Sequence, residues 1–132
     1  MKYFTLPELC RSATARKYKI NNECSLDHIQ KLTSLVTNVL DPLREAWGKP
    51  IFVNSGYRSA ALNRKLKGAP NSQHLTGEAA DITTGSIAGN KQLFELVQSL
   101  NLPFDQLIDE KGFRWVHVSY REKGNRGQVF LV

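Results

Sequence analysis

The chain lacks any apolar run that approaches the roughly 20 residues of a membrane-spanning helix. Its first residues, MKYFTLP, have no apolar core of the kind found in signal peptides, so we expect synthesis in the cytoplasm. Internal repeats and low-complexity segments are also absent. A length of 132 residues and a hydrophobic fraction of 41% therefore predict one globular domain over residues 1–132 without membrane insertion. We expect a monomer, although the sequence contains no direct signal of oligomeric state.

Cysteine is scarce, since Cys10 and Cys24 are the only two in the chain. Two cysteines do not make the disulfide framework of a small secreted domain, and in a reducing compartment we expect both to be free thiols. Their spacing contains no Cys-x-x-Cys element, which argues against a zinc site at this pair. We therefore predict a structural role for both side chains.

Dense clusters of positive charge are missing as well, although the net charge is +6. Such a charge permits an anionic partner, either nucleic acid or an acidic cell-wall polymer. The cations are spread along the chain, which is typical of a solvated surface and not of a nucleic-acid-binding arm. We therefore expect no nucleic-acid partner. The spread groups include Arg11, Arg16, Lys17, Lys19, Arg64, Lys65, Lys67, Arg121, Lys123 and Arg126.

Helical periodicity is strongest between Ser25, a candidate N-cap, and Gly48, which with Pro50 ends the pattern. Thr5 and Glu8 form a capping box that predicts a short helix near the N-terminus. A second amphipathic helix is predicted over 90–100 and a short one over 59–66. The apolar positions of the long helix are Leu26, Ile29, Leu32, Val36, Val39, Leu40, Leu43 and Trp47.

Short apolar or alternating segments predict the strands of the domain, with the last of them the least marked. Helices come first along the chain, and a late pair of strands joined by Lys111–Gly112 predicts a hairpin. This order is typical of an α+β fold, which we expect to consist of a central antiparallel sheet flanked by helices. The predicted strands are 51–54, 79–83, 106–109, 115–119 and 128–131.

Strand alternation predicts where chemistry-bearing side chains project. Asp81 lies in the 79–83 strand and His117 in the 115–119 strand, and if these strands are neighbours both side chains share one sheet face. His74 precedes Asp81 on a loop that Gly77 allows to fold back closely. Two imidazoles and a carboxylate form a normal shell for catalytic zinc, although the spacing alone also fits core or surface residues. His28, on the long helix, is expected to be exposed and outside the site.

Three motifs resemble the zinc D-Ala-D-Ala carboxypeptidase family, which includes phage L-alanyl-D-glutamate endopeptidases. The segment SQHLTGEAAD over 72–81 is similar to its Ser-x-His-x-x-Gly-x-Ala-x-Asp signature. The segment SGYR over 55–58 and the strand WVHVS over 115–119 resemble two further elements in the same order. The N-terminal part looks like the branch found in phages and gut bacteria. The resemblance implies an α+β fold shared with the Hedgehog signalling domain, and zinc held by His74, Asp81 and His117.

One departure from the family concerns the catalytic acid, which is expected three residues before the second histidine. Arg114 occupies that position here. Glu110, just before the predicted turn, is the best candidate general base, because a hairpin would return it toward His117. Asp109 is the second candidate and Asp105 a more distant one.

Arg58 ends the SGYR segment, between a predicted strand and a predicted helix. The resemblance implies that it binds substrate or stabilises charge at the scissile carbonyl, and a guanidinium suits both tasks. A structural arginine that braces the loop is the alternative. Ser72 and Gln73 are expected to position the loop or to donate to substrate.

Together, these features predict a zinc metallopeptidase that hydrolyses peptidoglycan stem peptides containing D-amino acids, as a carboxypeptidase or an endopeptidase. Without a signal peptide, action on the cell wall would follow release from the cell, as in phage lysis. The alternative is a non-catalytic zinc domain that binds a wall component or a protein partner, because a fold does not decide function.

Overall fold

The computed structural model covers residues 1–132 and shows an α+β architecture in which helices precede and flank a five-stranded sheet. The helices are α1 (Leu6–Cys10), α2 (Ala13–Lys17), α3 (Leu26–Leu35), α4 (Asp41–Trp47), α5 (Ala60–Lys65) and α6 (Ile87–Ser99). The strands are β1 (Phe52–Ser55), β2 (Ala79–Thr83), β3 (Gln106–Glu110), β4 (Trp115–Ser119) and β5 (Gln128–Leu131). No helix is both long enough and apolar enough to cross a membrane.

The predicted helix boundaries are mostly confirmed. Thr5 and Glu8 form the capping box of α1, and Ser25 caps α3. The long periodic segment is continuous but contains a π-helical stretch, Val36–Leu40, between α3 and α4. Gly48 ends α4 in the left-handed conformation. Helix α6 begins three residues earlier than predicted.

The sheet has the strand order β1-β2-β4-β3-β5, and the expectation of a purely antiparallel sheet is wrong. Strands β1, β2, β4 and β3 pair antiparallel, but β5 pairs parallel to β3. The loop after β4 crosses to the far side of β3, because its end is fixed there by backbone hydrogen bonds from Gly127 to Phe104 and from Gln128 to Asp105. This crossover makes β5 run in the same direction as β3.

One face of the sheet carries the core. Val53, Ile82, Val116, Val118 and Leu107 are buried there against the apolar side of α3, α4 and α6. Alternation along the same strands sends Asp81 and His117 to the opposite face. Because twenty buried residues form this one cluster, the opposite face is free to carry polar groups without weakening the core.

The expectation of free thiols is also wrong, because Cys10 and Cys24 form a disulfide with their Cα atoms 6.6 Å apart. Cys10 ends α1 and Cys24 immediately precedes the Ser25 cap, so the bond ties the first helix to the start of α3. The amide of Asn22 reinforces this link by donating to the carbonyl of Cys10. The free-thiol prediction rested on compartment, whereas proximity in the fold decides pairing.

Candidate metal centre

His74 lies in a single 3₁₀ turn, Gln73–Thr76, that Ser72 caps and that Gly77 ends with φ +82°. The residue is 2% exposed, and its Nδ1 lies 2.6 Å from the carbonyl oxygen of Gly56. Since a carbonyl only accepts, Nδ1 carries the proton and Nε2 keeps a free lone pair. Glycine is needed at position 77, because a Cβ there would lie only 2.8 Å from the carbonyl oxygen of His28.

Asp81 and His117 are direct cross-strand partners of β2 and β4, so the predicted shared sheet face is confirmed. Asp81 Oδ1 lies 3.0 Å from His117 Nδ1 and 3.2 Å from His74 Nε2. Two ligands of a tetrahedral zinc site are about 3.3 Å apart when each bond is about 2 Å. All three side chains are buried, and their ligand atoms lie within 4.8 Å of one another.

The donor set of this cluster fits a divalent cation. Nδ1 of His74 donates a hydrogen bond to the carbonyl oxygen of Gly56. Nε2 could therefore donate to Asp81 only if the ring became an imidazolium. Burial opposes ionisation of Asp81, yet the neighbouring rings of His117 and His74 hold the pKa of this carboxyl well below its usual range. An ionised carboxylate and two imidazole lone pairs converging on one point are what a zinc site requires.

Arg58 lies beside the cluster and is bound on all three guanidinium nitrogens. Nη2 donates to Asp81 Oδ2 at 3.1 Å, Nε to Ser55 Oγ at 2.9 Å and Nη1 to Asn63 Oδ1 at 3.4 Å. The arginine therefore occupies the outer oxygen of Asp81 and leaves Oδ1 for a metal. Its backbone N–H donates to the carbonyl of His74, which fixes the two segments to each other.

A bulge in β1 aims Ser55 at this group. The register shifts between Val53, which pairs with Ile82, and Ser55, which pairs with Asp81. Bulges next to active sites commonly redirect a side chain in this way. Asn22 then braces the following loop, because its side chain donates to the carbonyl of Tyr57 and accepts from the N–H of Ser59. Nothing in the local sequence indicated this role for Asn22.

The candidate bases are separated by strand alternation. Glu110 pairs with Trp115, so it lies on the same sheet face as His117, at the edge of the cleft. Burial and the nearby charge of Asp81 raise its pKa. Asp109 points to the opposite face and accepts from the N–H of Val132. Arg114 is exposed in the turn.

Asp105, the most distant candidate, is fully buried and cannot act as a base in the cleft. Its carboxylate accepts three hydrogen bonds from Arg126 and one from Gln73 Nε2 at 3.1 Å. Arg126 holds the pKa of Asp105 to about 2. This Gln73–Asp105–Arg126 network joins the residue before His74 to the loop before β5, and its members are too far apart in sequence for a motif to reveal.

His28 lies outside the cluster, as predicted, but it is half-buried and not exposed. Its ring stacks on Tyr57 with centroids 4.1 Å apart, and its Nδ1 accepts from the N–H of Ser25. It therefore closes the capping box of α3 and packs against the Arg58 loop.

A cleft of about 910 Å³ opens over the cluster. Its charged lining is mostly cationic, apart from the carboxylates of Asp81 and Glu110. A smaller cleft of about 490 Å³, near Trp47 and Phe52, contains no histidine and no carboxylate. The cationic side chains around the larger cleft are Arg58, Lys67, Lys111 and Arg126.

Comparison with known proteins agrees with this geometry. The family model described as Peptidase M15 matches residues 2–119. A zinc D-Ala-D-Ala carboxypeptidase from Streptomyces albus G is 50% identical over 48 residues, a match that covers 36% of this chain and 19% of that protein. The matched segment of the chain thus spans about a fifth of the length of this curated relative. The match across residues 2–119 shows that the chain belongs to the Peptidase M15 family.

Proposed function

We propose that this chain is a zinc-dependent peptidase that hydrolyses peptidoglycan stem peptides containing D-amino acids. The observation that carries the proposal is the convergence of His74 Nε2, Asp81 Oδ1 and His117 Nδ1 at the base of an open cleft. Family membership and the name of the Streptomyces albus G relative support both the metal and the substrate class.

The two histidines and Asp81 would hold the zinc, and the cleft would leave a fourth position open. Zinc in such a site supplies Lewis-acid activation of water and of a peptide carbonyl. Glu110, on the same face, would take a proton from the attacking water and return it to the leaving amine. Its raised pKa suits this exchange, since a base must also be able to give the proton back.

Arg58 would keep Asp81 ionised and oriented, and its guanidinium lines the cleft in which charge would develop on the scissile carbonyl. The bracing alternative for Arg58 is compatible with this role, because the same contacts that fix the loop also fix Asp81. The disulfide suits a protein that works in an oxidising compartment, as the cell wall is.

Metal content is the first test. Elemental analysis of protein folded with zinc should give one zinc per chain, and His74→Ala and His117→Ala should each lose most of it. Full zinc retention by both variants would contradict the ligand assignment.

Mass spectrometry of purified peptidoglycan after incubation with the zinc-loaded protein tests the activity. Glu110→Gln should keep zinc and lose activity by about a hundredfold or more. Asp109→Asn, on the core face, is the matched control and should retain the chemical step. Zinc-loaded wild-type protein that binds peptidoglycan without releasing any product would favour the non-catalytic alternative.

A further inference from the structure

Arg126 lies on the wall of the cleft in the loop before β5, and hydrogen bonds to Asp105 fix the position of its guanidinium. Its own N–H and Nε donate to Asp105 Oδ1 at 2.9 and 3.0 Å, and Nη2 donates to Oδ2 at 2.8 Å. The next two residues, Gly127 and Gln128, are bound through their backbone N–H groups. The guanidinium therefore cannot move without disrupting a fully buried carboxylate.

One edge of this guanidinium remains unused. Asp105 takes the Nε–Nη2 edge, whereas Nη1 donates to no protein group. The Arg126 side chain is 46% exposed although its partner Asp105 is 0% exposed. The free Nη1–Nη2 edge thus presents parallel N–H donors to the cleft, in the geometry that binds a carboxylate through two hydrogen bonds.

The other cations of the cleft are less suited to this task. Arg58 is only 14% exposed, and each of its nitrogens already donates to the protein. Lys67 and Lys111 are exposed and flexible, and a lysine offers a point charge without a planar pair of donors. Pre-organisation therefore distinguishes Arg126, because binding a carboxylate there requires little loss of side-chain entropy.

We infer that Arg126 is a specificity-determining residue that binds a free carboxylate of the peptide substrate. The inference rests on the proposed function for the identity of the substrate. The two arginines then have different roles, since Arg58 positions the carboxylate of Asp81 and Arg126 selects the peptide. Because the charge of Arg126 is offset by Asp105, the selection depends on directed hydrogen bonds and should persist at high salt.

Two pairs of synthetic stem peptides test this inference and distinguish the source of the carboxylate. One pair ends in D-alanine as either the free acid or the carboxamide. The other pair carries an internal D-glutamyl residue with its free carboxylate or the corresponding carboxamide. The wild-type protein should prefer the acid in one pair by roughly 10- to 100-fold, mainly through KM, at low and at high salt.

Arg126→Lys is the test variant, because it keeps a cation beside the buried Asp105 while removing the free guanidinium edge. It should reduce the acid-to-carboxamide preference to within about threefold. Lys67→Asn is the matched control, since it removes a cation of the same cleft at a position whose φ of 58° asparagine tolerates. Lys67→Asn should leave the acid-to-carboxamide preference unchanged, and any effect on KM should disappear at high salt.

Equal cleavage of acid and carboxamide by the wild-type protein, or an unchanged preference in Arg126→Lys, would overturn the inference and leave the proposed function standing. Absence of cleavage of every peptide by the zinc-loaded protein would count against the proposed function instead. In that case the Kd values of the intact peptides decide the inference, because the same acid-to-carboxamide ratio should appear in wild-type binding and be lost in Arg126→Lys.

Discussion

Replacement of Gly56 by alanine should damage both the fold and the metal centre. A Cβ on Gly56 would overlap the carbonyl oxygen of Leu9 and lie 2.9 Å from its carbonyl carbon. These are backbone atoms, so the clash can be relieved only by separating the 55–58 loop from α1. That movement breaks the hydrogen bond from the Tyr57 N–H to the Leu9 carbonyl, which is 2.9 Å long.

The expected loss of stability follows from these two effects. Overpacking typically costs about 1–3 kcal/mol, and a lost backbone hydrogen bond adds about 1 kcal/mol. The free energy of unfolding should therefore fall by about 2–4 kcal/mol, and the Tm by roughly 8–16 °C for a chain of this size. The carbonyl of Gly56 also accepts from His74 Nδ1, so its displacement should weaken zinc binding by roughly 10- to 100-fold.

Denaturant unfolding with a chelator present measures the first effect without any contribution from metal binding. Competition with a chromogenic zinc chelator measures the second effect. Gly124→Ala is the matched control, because Gly124 has φ +75° with no atom within 4 Å of an added Cβ. It should lose only about 1 kcal/mol and keep its zinc affinity. Equal stability of the two variants would refute the packing argument, and wild-type zinc affinity in Gly56→Ala would refute the link to His74.

Three further outcomes are expected. Arg58→Lys keeps the charge but loses the planar fork, so zinc affinity should fall roughly 10-fold by chelator competition and peptide turnover should also decrease. Asp105 has a pKa of about 2 against an ordinary 3.8, so its ionised carboxylate stabilises the fold above pH 4, and about 2 kcal/mol of unfolding free energy should be lost as the pH falls toward 2. Metal-free Arg126→Gln should lose less stability than wild type over this pH range, because the contribution of Asp105 is removed and that of Asp81, whose pKa is also lowered, remains. Replacing Cys10 and Cys24 with serine should cost about 3 kcal/mol of unfolding free energy by the same assay, and no change would show that the disulfide does not constrain the unfolded chain.

The site was largely predictable because its geometry follows from local rules. Alternation alone places Asp81 and His117 on the same side of their strands, and antiparallel pairing then brings them opposite each other. His74 is near because only a short turn separates it from β2. The catalytic roles of Glu110 and Arg58 stay predictions. Strand alternation places Glu110 on the cleft side of the sheet and Asp109 on the opposite side.

The features that were wrong or missed depend on contacts between distant segments. The direction of β5 is set by the crossover loop that Asp105 and Arg126 hold in place, and a strand pattern carries no information on parallel or antiparallel pairing. The disulfide depends on where α1 meets the start of α3, which periodicity does not reveal. In the sequence Arg126 is one of many spread cations, because its partner Asp105 lies 21 positions away.

We expect metal binding and folding to be separable in this chain. In small zinc domains the metal replaces a missing core, so the apo chain is unfolded. Here twenty buried residues form the core on one sheet face, and the proposed ligands His74, Asp81 and His117 lie on the other. The cluster should also be stable without metal, because Arg58 offsets the negative charge of the buried Asp81. The carbonyl of Gly56 fixes the orientation of the His74 ring. The proposed ligand atoms are thus held in place before a metal binds. Zinc binding should therefore lose little free energy to ordering of the site.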